Sequence, residues 1–177
     1  MRELANKFKI IEFMRLFGRR TQIETRVYFS GGSTAVLHGW RDTTLDIDLR
    51  FEPEPDELYR AIPEIKEQLQ LNIELAAPSD FIPELPAWRD RCQFVAREGT
   101  ISFYNYDPYS QALSKIERSH EQDLKDVGSM FEHGLIKAKT LVSLFEQIQP
   151  MLYKYPAIDP VQFSKALHRA IGNNRPK

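Results

Sequence analysis

The 177-residue chain contains a single cysteine, Cys92. One thiol can build neither an internal disulfide nor a cysteine metal cage, and the expected setting is cytoplasmic. No stretch approaches the 18 or so consecutive apolar residues that a membrane span needs. The segment 2–20 holds several Arg but also Glu3 and Glu12, with no small-residue cleavage site, so neither a signal nor a transit peptide is expected. Internal repeats and low-complexity tracts are absent too. What remains is globular: 42% apolar and 28% charged residues, enough for one domain or a domain with a small appendage.

Net charge is −1, but it is unevenly spread. Residues 1–30 carry seven Lys and Arg against three Asp and Glu; residues 42–90 carry four against thirteen; residues 91–177 carry twelve against nine. An acidic middle between mildly basic ends suits a bound cation facing a polyanion such as a nucleotide. Solvated surface charge is the plainer reading.

Hydrophobic spacing and turn residues predict helix over 2–18, strand over 26–30, a short helix over 34–38 stopped by Gly39, and strand over 44–51. A helix capped by Asp56 runs over 56–70, and a strand over 71–75. The prolines of 78–86 mark a loop, and 93–97 with 100–106 a hairpin around Glu98-Gly99. From Asp107-Pro108 on the chain reads as helices, the last over 159–171, with 172–177 frayed. The expected class is α+β, a small mixed sheet flanked by helices (1–106) followed by a helical half (107–177).

Within this frame, Ser30-Gly31-Gly32-Ser33 is followed, twelve residues on, by Asp46-Ile47-Asp48. Residues two apart on a strand share a face, so Asp46 and Asp48 project together and Leu45, Ile47 and Leu49 point the other way. Paired carboxylates repel unless a cation sits between them, and hard oxygen donors suit Mg²⁺ or Mn²⁺. Glycines let backbone N–H groups approach phosphate oxygens, the following helix turns its N-terminus to the anion, and Ser33 adds a hydroxyl. An anion cradle beside a cation clamp is what phosphoryl or nucleotidyl transfer requires.

Residues 28–50 resemble the signature of the DNA polymerase β-like nucleotidyltransferase superfamily. The similarity is greatest to the small prokaryotic branch of minimal nucleotidyltransferases and AbiEii-like toxins. Lys115-Ile-Glu-Arg118 and Asp123-Leu-Lys-Asp126 resemble that branch's helical Lys…Arg…Asp…Asp block, so the likeness spans about 26–136. It implies that Asp46 and Asp48 bind metal, that Gly31, Gly32 and Ser33 hold a triphosphate, that Lys115 and Arg118 contact phosphate, and that Asp123 supports the site. The superfamily's third carboxylate falls to Glu74, which shares a face with Asn72, or to Asp80 in the adjoining loop.

On one continuous helix, Lys115, Arg118, Gln122 and Asp126 lie within about 80° of each other, and Asp123 falls inside the apolar arc of Ala112, Ile116, Val127, Met130 and Phe131. Asp123 must then find a partner, either as an orienting group or in a structural ion pair. Lys115 would steady the pyrophosphate leaving group more in the transition state than in the ground state. His38, His120 and His133 read as cap or surface groups, Trp40 as core, Trp40-Arg41 alternatively as a stacking pair, and Phe103, Tyr104 and Tyr106 as packing rather than a base platform. Cys92 reads as inert.

The expected activity is metal-dependent transfer of NMP from an NTP to a hydroxyl of an RNA, tRNA or protein acceptor, in a toxin or defence role with an antitoxin-like partner. The alternatives are a nucleotide-binding regulatory module that has lost turnover, and an interaction protein whose carboxylates are surface groups.

Overall fold

A computed structural model describes residues 2–174. By packing, the chain divides into two units, Met1–Ala77 with Cys92–Tyr106, and Pro78–Arg91 with Asp107–Lys177. The proline-rich stretch, expected to belong with the sheet, therefore groups with the helices. Arg91 donates to Asp107, Tyr155 Oη donates to the Ser79 carbonyl at 2.9 Å, and the Arg118 guanidinium lies 5.2 Å from the Phe81 ring centroid. These ties hold it there.

The first unit begins with β1 (Ala5–Asn6) and α1 (Lys7–Phe17). The expected helix start at residue 2 is displaced because Ala5 and Asn6 pair with β3 (Thr43–Thr44), and the Asn6 side chain caps the Lys9 N–H at 3.0 Å. β2 (Thr25–Ser30), α2 (Gly32–His38), β4 (Asp46–Glu52), α3 (Asp56–Leu69), β5 (Asn72–Leu75) and the hairpin β6 (Gln93–Glu98)–β7 (Ile101–Asn105) follow. α3 is entered from Pro55, and Asp56 is its first residue rather than its cap.

The main sheet has the order β5-β4-β2-β7-β6. β4 runs antiparallel to β2 and parallel to β5; β7 is parallel to β2 and antiparallel to β6. On β4 the alternation is strict: Ile47, Leu49 and Phe51 are buried, while Asp46, Asp48, Arg50 and Glu52 are partly exposed. The apolar face joins Val27, Phe29, Ile101 and Phe103 of neighbouring strands. α1 covers it with Ile10, Phe13, Met14 and Phe17, one stripe at helical spacing, and α3 with Leu58, Ile62, Ile65 and Leu69. Burying that face forces the register, because a slip of one residue would put the aspartates in the core.

The second unit contains 3₁₀ turns at Pro78–Asp80, Trp88–Arg91 and Gln149–Lys154, with α4 (Pro108–Arg118), α5 (Glu121–Glu132), α6 (Ala138–Ile148) and α7 (Pro160–Asn173). α4 packs against α5, α6 and α7. Its start is anchored by the fully buried Asp107, which accepts from the N–H groups of Tyr109 and Ser110, from Ser110 Oγ and from Nε and Nη2 of Arg91. α7 continues two residues past its expected end, and the remainder of the expected frayed tail, 175–177, lies outside the described residues. No described helix is long and apolar enough to cross a membrane.

Candidate functional site

The chain leaves β2 at Ser30, which is in register with Asp48 across the antiparallel pair. Gly31 then adopts φ +63° and ψ −137°, a conformation strained for any residue with a Cβ. A side-chain carbon at position 31 would also collide with Asp48 Oδ2. At Gly32 the same carbon would collide with Thr44 Oγ1 and lie 3.2 Å from Arg41 Nη1. The two glycines are thus required on steric grounds, because a carboxylate, a hydroxyl and a guanidinium all close on the backbone at this turn.

Asp46 and Asp48 share the polar face of β4, as the alternation predicts, and both are partly exposed. Parallel pairing sets Asn72 beside Asp46 and Glu74 beside Asp48. The Asn72 amide donates to Asp46 Oδ1 at 2.6 Å and to Glu74 Oε1 at 2.8 Å, tying the two carboxylates to one donor. Glu74 itself is exposed. Asp80, the competing residue, lies in the 3₁₀ turn Pro78–Asp80 of the second unit.

Ser33 departs from its expected role. It is fully buried, and its hydroxyl donates to the Asp46 carbonyl at 3.4 Å, beside the Thr44 hydroxyl, which donates to the same carbonyl at 3.2 Å. Ser33 therefore positions the backbone of the aspartate strand. The first turn of α2 is buried, the helix packing against β2, β3 and β4, and that burial turns the hydroxyl inward.

The donor set can be tested against a divalent cation. Mg²⁺ is commonly held by one or two carboxylates, with substrate phosphates and water completing its octahedron. The partly exposed Asp46–Asp48 pair fits that requirement. Among the described residues no three Asp, Glu, His or Cys side chains gather closely enough to hold a metal. The fit is to a cation shared with substrate, not to a cage made of protein alone.

The second unit holds the other predicted block. The helix does not run through it: α4 ends at Arg118, Ser119 takes a left-handed conformation (φ 54°, ψ 27°), and α5 begins at Glu121 from His120. The single-helix geometry is thereby replaced. Lys115 is 3% exposed, and its Nζ lies 3.0 Å from Asp123 Oδ1 and 2.7 Å from Asp126 Oδ2. Arg118 Nη2 also reaches Asp123 Oδ1, at 3.1 Å. Asp123 finds the partner its burial demanded. Asp126, expected on the polar arc, is instead 1% exposed, because the break at Ser119 lets α5 fold back and turn it inward. The expected contact of Lys115 with phosphate is not what this arrangement presents, since the ammonium is buried and already matched by two carboxylates.

The remaining candidates fall out as packing or caps. His38 stacks on Trp40 with ring centroids 5.0 Å apart, and its Nε2 lies 3.4 Å from Asn105 Nδ2. His120 and His133 flank α5, the latter with Nδ1 2.8 Å from the Ser129 carbonyl. Phe103 and Tyr106 are buried, and Tyr104 packs between Tyr28 and Phe94. Burial pushes the Tyr28 phenol above its usual value. Sequence reading missed Asn72 and Thr44 as members of the site, and offered Arg41 only in a stacking pair with Trp40. Of those two, Asn72 left a signal, its shared face with Glu74.

The family model described as "Nucleotidyltransferase of unknown function (DUF6036)" matches residues 5–162, and the chain belongs to that family. It is an enzyme of the nucleotidyltransferase type. Neither the curated proteins nor the solved structures contain a match to it.

Proposed function

We propose that this nucleotidyltransferase moves a nucleoside monophosphate from an NTP to a hydroxyl of an RNA, tRNA or protein acceptor, with a divalent cation held by Asp46 and Asp48. One observation carries the reading: the Asp48 carboxylate rests against the Gly31 backbone, so that the carboxylate pair and the glycine turn form one surface. In the reaction the acceptor oxygen bonds to the α-phosphorus as the bond from that phosphorus to its bridging oxygen breaks. Pyrophosphate departs with the electron pair, and the hydroxyl proton passes to solvent. A Mg²⁺ or Mn²⁺ ion supplies charge neutralisation at the phosphates and a more acidic hydroxyl.

The chain's own groups do the placing. Asn72 fixes the rotamer of Asp46. Ser33 and Thr44 pin the strand backbone beneath it. Gly31 leaves the space in which Asp48 meets the turn. Lys115, Arg118, Asp123 and Asp126 serve as a structural ion network of the helical unit. Glu74 is the proposed third carboxylate, reached through Asn72. The resemblance of residues 28–50 supports a toxin or defence role, in the AbiEii-like branch, with an antitoxin-like protein as partner, and the single cysteine suits a cytoplasmic setting.

The test is incubation with each labelled NTP, Mg²⁺, and tRNA or protein acceptors, for wild type and Asp48→Asn. Transfer should be lost in the variant while its melting curve is kept. Transfer that survives the change refutes the assignment. The absence of a three-carboxylate cluster among the described residues favours a second reading, a nucleotide-binding module without turnover. Calorimetric NTP binding with no labelled product from any acceptor would select it.

A further inference from the structure

We propose that the exposed ring of Phe94, at the outer edge of the main sheet, is a stacking platform for a base of a single-stranded nucleic-acid acceptor. The inference rests on the nucleotide site proposed above and names its acceptor class. Its basis is the register of the sheet. Ser30 pairs with Asp48, so β2 turns Tyr28 and Arg26 to the same face as the aspartates. Across that face the pairing aligns Arg50 of β4, Tyr28 of β2, Tyr104 of β7 and Phe94 of β6 in one row. Ring centroids lie 5.6 Å apart from Tyr28 to Tyr104 and 5.7 Å apart from Tyr104 to Phe94, the second pair edge to face at 76°. Exposure rises along the row: Tyr28 is 1% exposed, Tyr104 is partly exposed, and Phe94 is 62% exposed. The tyrosines hold the phenylalanine in place, and its ring meets solvent.

Three features select the occupant. β6 is an edge strand, but the bulge between Phe94 and Ala96 interrupts its ladder and the charged Arg97 follows. Both blunt an edge against the addition of another strand, which disfavours a second copy of this chain. The neighbouring row, Glu52, Arg26, Ser102 and Arg97, then sets two exposed guanidinium groups beside the aromatic one. Arg97 donates to Glu24 at 2.7 Å and to Ser102 Oγ at 3.1 Å, yet its side chain stays 48% exposed, and a guanidinium carries five N–H donors. An exposed ion pair of this kind contributes about 0–1 kcal/mol, so a phosphate can share Arg97 with Glu24 or replace it. A base face and a phosphate are thus met by adjacent side chains, which is how a sheet surface holds an unpaired strand. The third feature is distance. Phe94 lies three strands from β4, about 14 Å at ordinary strand spacing, and its row is two residues, about 7 Å, along from Asp48. That is too far for the base of the nucleotide whose phosphate reacts. It suits a base of the acceptor strand whose terminal hydroxyl reaches Asp46 and Asp48.

The experiment is fluorescence anisotropy of a labelled oligonucleotide of mixed sequence, single-stranded RNA, single-stranded DNA and a duplex of each, titrated with the full chain. Wild type, Phe94→Ala, Phe94→Trp and Arg97→Gln are compared, and each is titrated separately with Mg²⁺ and NTP by calorimetry. Base stacking on an aromatic ring contributes about 1–3 kcal/mol, so Phe94→Ala should weaken single-strand binding by about five- to a hundredfold. Phe94→Trp should bind as wild type does, Arg97→Gln should lower the salt slope by about 0.7, and NTP binding should be the same in all four. Should Phe94→Ala melt early, Phe94→Leu, apolar but without a ring face, carries the comparison. A preference for RNA or for DNA names the strand and supports the platform, provided the loss of the ring weakens it. The proposal is overturned if wild type binds no single strand, if the variants lacking the ring bind it as tightly as wild type, or if the duplex binds as well as the single strand. Labelling of a protein acceptor, or a dimer that depends on Phe94, in the absence of strand binding also overturns it. In each of those cases NTP binding by wild type leaves the nucleotide site standing and removes the platform alone. Strand binding that depends on Phe94, in a chain that binds no NTP, refutes the nucleotide site and supports the platform.

Discussion

Replacing Lys115 by alanine separates two accounts of the helical block. In the structure the Lys115 ammonium sits between the carboxylates of Asp123 and Asp126, whose residues are 8% and 1% exposed. Removing the cation takes from Asp126 its 2.7 Å partner, against which the 3.5 Å bond from Gln122 is long, while Asp123 keeps Arg118 at 3.1 Å. Breaking a buried pair from one side costs about 3–5 kcal/mol, because a charge stays behind without its partner. For a chain of this size that corresponds to a fall in melting temperature of about 6–20 °C. Thermal and urea denaturation of Lys115→Ala measure it. A double variant, Lys115→Met with Asp126→Leu, should recover most of the loss, since replacing the ion pair by packed apolar groups is often neutral and Arg118 still pairs Asp123. The reasoning is refuted if Lys115→Ala melts like wild type. If it does so while transfer activity falls by two to three orders of magnitude, the range known for losing one electrostatic donor, Lys115 acts on the phosphates after all.

Three further outcomes are expected. Gly31→Ala should cost about 1–2 kcal/mol from its positive φ alone, and should abolish transfer by displacing Asp48; a variant with wild-type activity and melting would refute the turn's role. Saturating Mg²⁺ and NTP at about a hundred times the dissociation constant should stabilise the chain by about 2.7 kcal/mol, read as a melting shift that chelation or Asp48→Asn removes. Burial raises the Glu117 carboxyl above its usual value, with Arg118 opposing, so the folded state holds that proton more tightly than the unfolded chain and ionisation at neutral pH destabilises the fold. Glu117→Gln should accordingly raise the melting temperature at pH 7, with the gain vanishing as pH falls through and below the ordinary glutamate range; a gain that persists in acid would refute the cause.

The family level and the aspartate strand were legible in the chain itself. A period of two is a local property, so Asp46 and Asp48 on one face with Ile47 and Leu49 on the other followed from the order of residues alone. The same holds for the hairpin around Glu98-Gly99, for Gly39 as a helix stop, and for Asp107-Pro108 as a helix start. The break at Ser119 was not legible. A left-handed serine is uncommon, and the segment Arg118-Ser119-His120 carries neither glycine nor proline to announce it.

Local sequence therefore determined which side chains share a strand face or a helix stripe, and with them the family and the carboxylate pair. Tertiary structure alone decided what meets those side chains across the chain. Strand pairing carried Asn72 to Asp46, the return of the chain after Gly39 carried Arg41 to Gly32, and the fold-back at Ser119 closed Asp126 on Lys115. The physical reason is the range of the forces involved. Backbone periodicity is set by neighbours a few residues apart, whereas the partner of a charge is whichever group the burial of the apolar faces brings against it.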